Sequence, residues 1–206
     1  MKRIVWLAVL TLALPLAAFA GGIDLGNGGG TISGSSAGLT LTGAKLTTDS
    51  GLGTGGCSVA APCGTVTFTT GSLISGSLSG TTAGVVATLN GGGSFVITGN
   101  GTNGLPNGAI FTGSFSGPVT WSAAPGSNGS VFYTLTGSIS GTWYTGATVF
   151  GATTQITFDA GKLGFMGSIV AGSGDSVFAT PEPGTLGLLG TGLVGLAGIV
   201  RKKLKA

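Results

Sequence analysis

From Phe111 to Trp121, alternate positions carry Phe111, Gly113, Phe115, Gly117, Val119 and Trp121, with Thr112, Ser114, Ser116, Pro118 and Thr120 between them. From Val131 to Trp143 the alternation repeats: Val131, Tyr133, Leu135, Gly137, Ile139, Gly141 and Trp143 against Phe132, Thr134, Thr136, Ser138, Ser140 and Thr142. Successive side chains of a strand point to opposite faces, so a period of two sustained this long predicts half-buried strands, apolar face inward and Ser/Thr face toward water. The two strands are expected to pair antiparallel across the loop Ser122 to Ser130. With Trp121 opposite Val131, Gly117 meets Leu135, Phe115 meets Gly137 and Gly113 meets Ile139, so that each inward glycine faces a large side chain.

Shorter apolar runs mark further strands at Leu39–Leu41, Val66–Phe68 and Ile156–Phe158. Every asparagine precedes a glycine: Asn27, Asn90, Asn100, Asn103, Asn107 and Asn128. Asn-Gly tolerates left-handed backbone angles and signals tight hairpin turns. On that basis Val85–Leu89 and Ser94–Thr98 form a hairpin around Asn90-Gly91-Gly92-Gly93. The segments Thr70-Gly71-Ser72, Thr112–Gly117 and Thr136–Gly141 look alike, but their uneven spacing does not support a regular repeat. The expected fold is mainly β, an antiparallel sandwich or flattened barrel, with a β-helix as the alternative.

Composition narrows the class. Glycine supplies 44 of 206 residues without the three-residue period of collagen. Only 6% of residues are charged and 42% are hydrophobic, a balance unlike that of disordered chains. Six of the eight basic residues lie at the chain ends; between Gly21 and Thr180, Lys45 and Lys162 face Asp24, Asp49, Asp159 and Asp175. The body is therefore slightly acidic and offers no basic stripe for nucleic acid.

Both ends carry localisation signals. Lys2 and Arg3 precede an apolar run from Ile4 to Leu14, then Pro15, then Ala18-Phe19-Ala20. A basic start, a short hydrophobic stretch and small residues around a cut site describe a secretory signal peptide over residues 1–20, cleaved by signal peptidase after Ala20. An uncleaved helix is the alternative, though the run is short for a membrane span. At the other end, Thr180-Pro181-Glu182-Pro183-Gly184 leads into Thr185–Val200, which holds no charge, and the chain ends Arg201-Lys202-Lys203-Leu204-Lys205-Ala206. Counted from Gly184, that segment is about 25 Å long as a helix, enough to cross a thin hydrocarbon core. A transmembrane helix over about 185–200 would keep Arg201, Lys202, Lys203 and Lys205 cytoplasmic and hold the body, residues 21–180, outside the inner membrane.

The 181–206 tail resembles the PEP-CTERM sorting segment of exported Gram-negative proteins. Pro181-Glu182-Pro183 matches the signature tripeptide, Leu186-Gly187-Leu188-Leu189-Gly190 and the uncharged residues after it match its Gly/Leu-rich helix, and Arg201–Lys203 match its basic end. The resemblance implies processing by an exosortase, a membrane enzyme that recognises the tripeptide and removes the helix. It also implies a cell-surface or extracellular protein associated with exopolysaccharide or biofilm. Gly187, Thr191 and Gly195 form a small-residue face on such a helix, open to close approach by another helix.

Candidate chemistry is sparse. Cys57 and Cys63 are the only cysteines, and after export a local disulfide is their natural state, adding about 2 kcal/mol. Their spacing is wrong for a Cys-x-x-Cys motif. The absence of histidine removes Ser-His-Asp and Cys-His catalysis. No segment reads as a phosphate loop. Asp24, Asp49, Asp159 and Asp175 are scattered among what read as turn residues, as solvated carboxylates; Asp159 and Asp175 are weak calcium candidates, and no cofactor is expected. Trp121, Tyr133 and Trp143 fall on the inward face as core, leaving Tyr144 as the surface aromatic able to stack on sugar. The expectation is a non-catalytic exported protein; the alternative is a carbohydrate-binding module for exopolysaccharide.

Overall fold

In the computed structural model, residues 22–53 and 56–179 are described, and Gly22–Ala179 forms one compact unit. It contains β1 (Gly22–Gly28), β2 (Thr31–Ser35), β3 (Gly38–Ser50), β4 (Gly64–Thr69), β5 (Leu73–Gly76) and β6 (Gly84–Leu89). The chain continues through β7 (Gly92–Asn100), β8 (Asn107–Phe115), β9 (Val119–Pro125), β10 (Val131–Trp143), β11 (Thr148–Asp159) and β12 (Ser168–Ala179). All pairings are antiparallel.

Following those pairings around, β12, β2, β3, β4, β7, β8, β10 and β11 close into an eight-stranded barrel. β1 and β2 act as one stave laid end to end. β2 pairs with the first part of β12 and of β3, and β1 pairs with the later part of both. Gly29 and Gly30, at φ 67° and 84°, join the two halves. A Cβ at Gly30 would collide with the backbone of Ala44, so this joint requires glycine for space as well as for angle. Of the architectures expected from the alternation, the barrel is the one realised; no solenoid stacking occurs among the described residues.

The interior is filled by side chains, as suits a barrel of this size. One aromatic group joins Phe68, Phe95 and Phe115 to Phe111, Trp143 and Phe178, with ring centroids 4.7–6.3 Å apart. A second stacks Trp121 on Tyr133 at 4.9 Å and adds Phe158 and Phe165. The Trp121 indole N–H donates to the Leu78 carbonyl at 3.0 Å, and the Tyr133 hydroxyl accepts the Phe165 amide at 3.3 Å. Thr154 and Ser176, both buried, bond each other across β11 and β12 at 3.0 Å.

The alternation at 131–143 corresponds to β10, with its apolar set turned inward. Three pairing expectations need correction. The stretch 111–121 is not one strand: the chain leaves the ladder at 116–118, where Pro118 supplies no amide hydrogen, and resumes as β9. The register differs too. Leu135 pairs with Trp121 rather than Gly117, and Ile139 with Phe115 rather than Gly113. Both shifts are by even numbers, so every side chain keeps its face.

Finally, Val85–Leu89 and Ser94–Thr98 do not pair with each other. β6 pairs with β9 and β7 with β8 in nearly continuous register, so 84–100 and 107–125 are two arms of one long hairpin that turns at 101–106. Asn90 sits at a bend within one arm, where Gly92 and Gly93 have φ of 87° and 66°. Beyond that bend β9, β6 and β5 leave the barrel wall as a side sheet attached through β10.

Candidate functional site

Three features bear on function: the barrel end that carries both termini, the disulfide loop beside it, and the outward face of β9–β12. Gly22, the start of β1, pairs with Ala179, the end of β12, so the chain enters and leaves the barrel side by side. The signal residues Ala18 and Ala20, the tripeptide Pro181, Glu182 and Pro183, and the basic cluster Arg201, Lys202, Lys203 and Lys205 lie outside the described residues. Among the described residues no helix is long and apolar enough to cross a membrane.

Cys57 and Cys63 form a disulfide, with Cα atoms 5.4 Å apart. A local turn brings them together: the Ser58 amide donates to the Ala61 carbonyl and the Ala61 amide to the Ser58 hydroxyl, each at 3.1 Å. The loop is tied to the barrel by Cys63 N–H to the Leu46 carbonyl at 3.0 Å and by the Asn100 side chain to the Pro62 carbonyl at 2.9 Å. Asn103 adds a bond from Nδ2 to Cys63 Sγ at 3.0 Å. Asn103, at φ 53°, is the one described non-glycine residue with left-handed backbone; after Asn100, Asn107 and Asn128 it is the glycine that takes a positive φ, at Gly101, Gly108 and Gly129. Asn27 departs furthest from the turn expectation, lying buried within β1.

The carboxylates are not turn residues. Asp24, Asp49 and Asp175 lie within β1, β3 and β12, and Asp159 closes β11, where it accepts the Gly161 amide at 2.9 Å. Strands here extend to 13 residues, and their outward positions accept a charge as readily as a loop does. Asp49 is half-buried with Oδ1 3.2 Å from Cys57 Sγ; the other three are exposed. Among the described residues no group of three or more His, Cys, Asp or Glu side chains is arranged to hold a metal ion. Trp121, Tyr133 and Trp143 are buried, whereas Tyr144 is 53% exposed.

Across the outer face, register aligns small polar side chains in rows. Thr88 of β6, Thr120 of β9, Thr136 of β10, Gln155 of β11 and Asp175 of β12 are successive partners. A second row runs Ser122, Thr134, Thr157 and Ser173. Strand geometry spaces such groups about 4.8 Å across strands and about 6.8 Å along them. Between β11, β12 and β1 this face holds a depression of about 320 Å³ lined by Asp24, Gln155, Thr157, Ser173 and Asp175 among others. A wall polar outside and aromatic inside is the reverse of a transmembrane barrel, which presents an apolar band to lipid.

One comparison bears on the chain beyond Ala179, the tail. Residues 179–202 match the PEP-CTERM protein-sorting motif. The match begins at the last residue of β12 and covers the tripeptide, the uncharged stretch and the first basic residues. It implies export and exosortase-dependent sorting. No curated protein and no solved structure matches the chain.

Sequence reasoning overlooked one feature of the terminal end. Phe150 is 72% exposed at a β-bulge: Phe150 and Gly151 together oppose Ser140, so that Val149 and Ala152 both point inward. Gly151, at φ 69°, takes the left-handed position the bulge needs. Simple alternation back from Ala152 would have turned Phe150 into the core; Gly151 is the one local signal against it.

Proposed function

We propose that this chain is a non-catalytic surface or matrix protein, exported with a cleaved signal peptide and held at the inner membrane by its tail until an exosortase-type enzyme processes it near Pro181-Glu182-Pro183. The observation that carries this reading is the sorting motif beginning where the barrel ends. In that arrangement the barrel is the cargo. Its described ladder runs to Ala179, and in sequence the tripeptide follows after a single residue. Intact mass of the protein from cells that carry the processing enzyme tests the reading. The expected species begins after Ala20 and lacks Arg201–Ala206; a chain that keeps Met1 and the basic end would overturn it. Replacing Pro181-Glu182-Pro183 by alanines should leave the tail in place.

A second reading, binding of exopolysaccharide, is favoured by the outward rows of Thr, Ser, Gln and Asp on β9–β12. Hydroxyls at regular spacing offer donors and acceptors to a polymer chain. Pull-down with the host's own matrix polymers tests it. Capture that is lost in Thr136→Val/Gln155→Val would support this face; no capture by any matrix polymer leaves the scaffold reading alone.

A further inference from the structure

We propose that the barrel end carrying the two termini rests against the headgroup region of a lipid bilayer through Tyr144, Phe150 and Val59. The inference builds on the proposed tail anchor. It concerns a surface that the sorting motif does not include.

Antiparallel pairing decides which groups share that end. Gly22 and Ala179 pair there, Asp24 pairs with Ser50 at the close of β3, and Thr142 pairs with Thr148 at the β10–β11 turn. The disulfide loop joins the same end, since Asn100 at the close of β7 donates its amide to the Cys63 carbonyl. Three large apolar side chains project from this rim: Val59 on the disulfide loop, Tyr144 at the β10–β11 turn and Phe150 at the bulge. None belongs to the core, and the bulge at Gly151 works against burial by turning Phe150 out.

What covers them is indicated by where the chain goes next. Five residues separate Ala179 from Thr185, the first residue of the uncharged stretch, a reach of at most about 22 Å even if fully extended. The apolar signal run likewise ends just before Gly22. While either segment occupies a membrane, this end of the barrel is the one held at its surface. Aromatic side chains favour the boundary between hydrocarbon and water, and a tyrosine there keeps its hydroxyl among the headgroups. The far end also exposes apolar side chains, Leu163 and Met166 on the β11–β12 connection, but no membrane-directed segment departs from it. Charge points away from an electrostatic mode. Asp24 and Asp49 lie toward the terminal end, while of the barrel's two lysines Lys162 is at the far end and Lys45 sits part-way along β3 opposite Thr65, so the contact should be insensitive to salt and need no anionic lipid.

The test places a nitroxide label at one of three positions in the full chain, as Tyr144→Cys, Phe150→Cys or Met166→Cys, the native disulfide being retained. Chain from cells without an exosortase is reconstituted into phosphatidylcholine vesicles and floated. Collision rates with oxygen, which concentrates in lipid, and with a water-soluble nickel chelate then report depth. The expected oxygen-to-nickel ratio at 144 and 150 is several-fold above that at 166. Phe150 and Tyr144 are exposed, so labels there should leave the fold intact, and agreement between the two guards against a local artefact. A chain that floats with all three labels equally accessible to nickel, or with 166 the protected one, overturns the inference while the anchor stands. A chain that does not float removes the anchor and the inference together.

Discussion

Gly137 offers the sharpest test of how the barrel interior is packed. It sits on the inward face of β10, and a Cβ placed there would lie 2.7 Å from the Phe115 ring and 3.3 Å from a Val119 methyl. Carbon atoms prefer about 3.5 Å or more, so in Gly137→Ala the ring must retreat by roughly 0.8 Å. It has little room to do so. Phe115 is held edge-on by Phe68 at 5.5 Å and by Phe95 at 5.8 Å, and all three rings are buried. Overpacking of this kind costs about 1–3 kcal/mol, offset by about 0.5–1 kcal/mol because alanine has less backbone freedom to lose than glycine. The expected net loss is about 1–2 kcal/mol, or a fall in Tm of about 2–8 °C for a body of this size. Phe115→Leu alone should also cost about 1–2 kcal/mol, by leaving space beside Gly137. The double variant should be more stable than the sum of the two by at least about 1 kcal/mol, because each change relieves the other. Urea denaturation of residues 21–180 with the disulfide intact, followed by circular dichroism, measures all four corners. Gly117→Ala is the control: it belongs to the same alternation, but its Cβ would meet nothing within 4 Å. It should be neutral or slightly stabilising. A neutral Gly137→Ala, or strict additivity with Phe115→Leu, would refute the proposed contact.

Reducing the Cys57–Cys63 bridge, or replacing both residues by serine, should lower stability by about 2 kcal/mol in the same assay, since the closed loop is short. Thr154→Val alone should cost about 1–3 kcal/mol by leaving the Ser176 hydroxyl unpaired inside the barrel, whereas Thr154→Val/Ser176→Ala should recover most of that loss. Asn103→Gly should be tolerated and Asn103→Val should cost about 1–2 kcal/mol, because a left-handed backbone penalises a β-branched side chain; thermal melts of the three proteins check this.

The period of two in the sequence specifies faces, and the faces came out as the pattern requires. Val131, Tyr133, Leu135 and Ile139 are buried as predicted, as are Phe111, Phe115, Val119 and Trp121. Pairing is a separate matter. Moving a strand by two or four residues preserves every inward side chain, so hydrophobicity alone cannot choose between Gly117 and Trp121 as the partner of Leu135. The choice was made by the break at 116–118 and by the long hairpin turn at 101–106. That turn holds Asn103 and is flanked by Asn100 and Asn107; the Asn90 signal, equally strong in sequence, marks a bend where one arm passes from side sheet to barrel. Closure was legible only as a class, because joining β12 to β1 and β2 depends on contacts between the two ends of the body.

The candidate sites divide along the same line. A sorting signal is read by an enzyme as a linear segment, so Pro181-Glu182-Pro183 and the basic end could be recognised from residue order, and the match over 179–202 falls where the motif stands. The disulfide was legible because its two cysteines are near in sequence and have no others to choose from. The Thr and Gln rows required register: Thr120, Thr136, Gln155 and Asp175 come from four strands and meet only when the pairing is known. The same barrel closure sets the relation between cargo and signal. The last described ladder pair, Gly22 with Ala179, ends one residue before the tripeptide, so a cut at Pro181 would leave every described ladder pair of the barrel on one side of it. Folding and sorting can then proceed independently, the first written in alternation within 22–179 and the second in the order of residues beyond it.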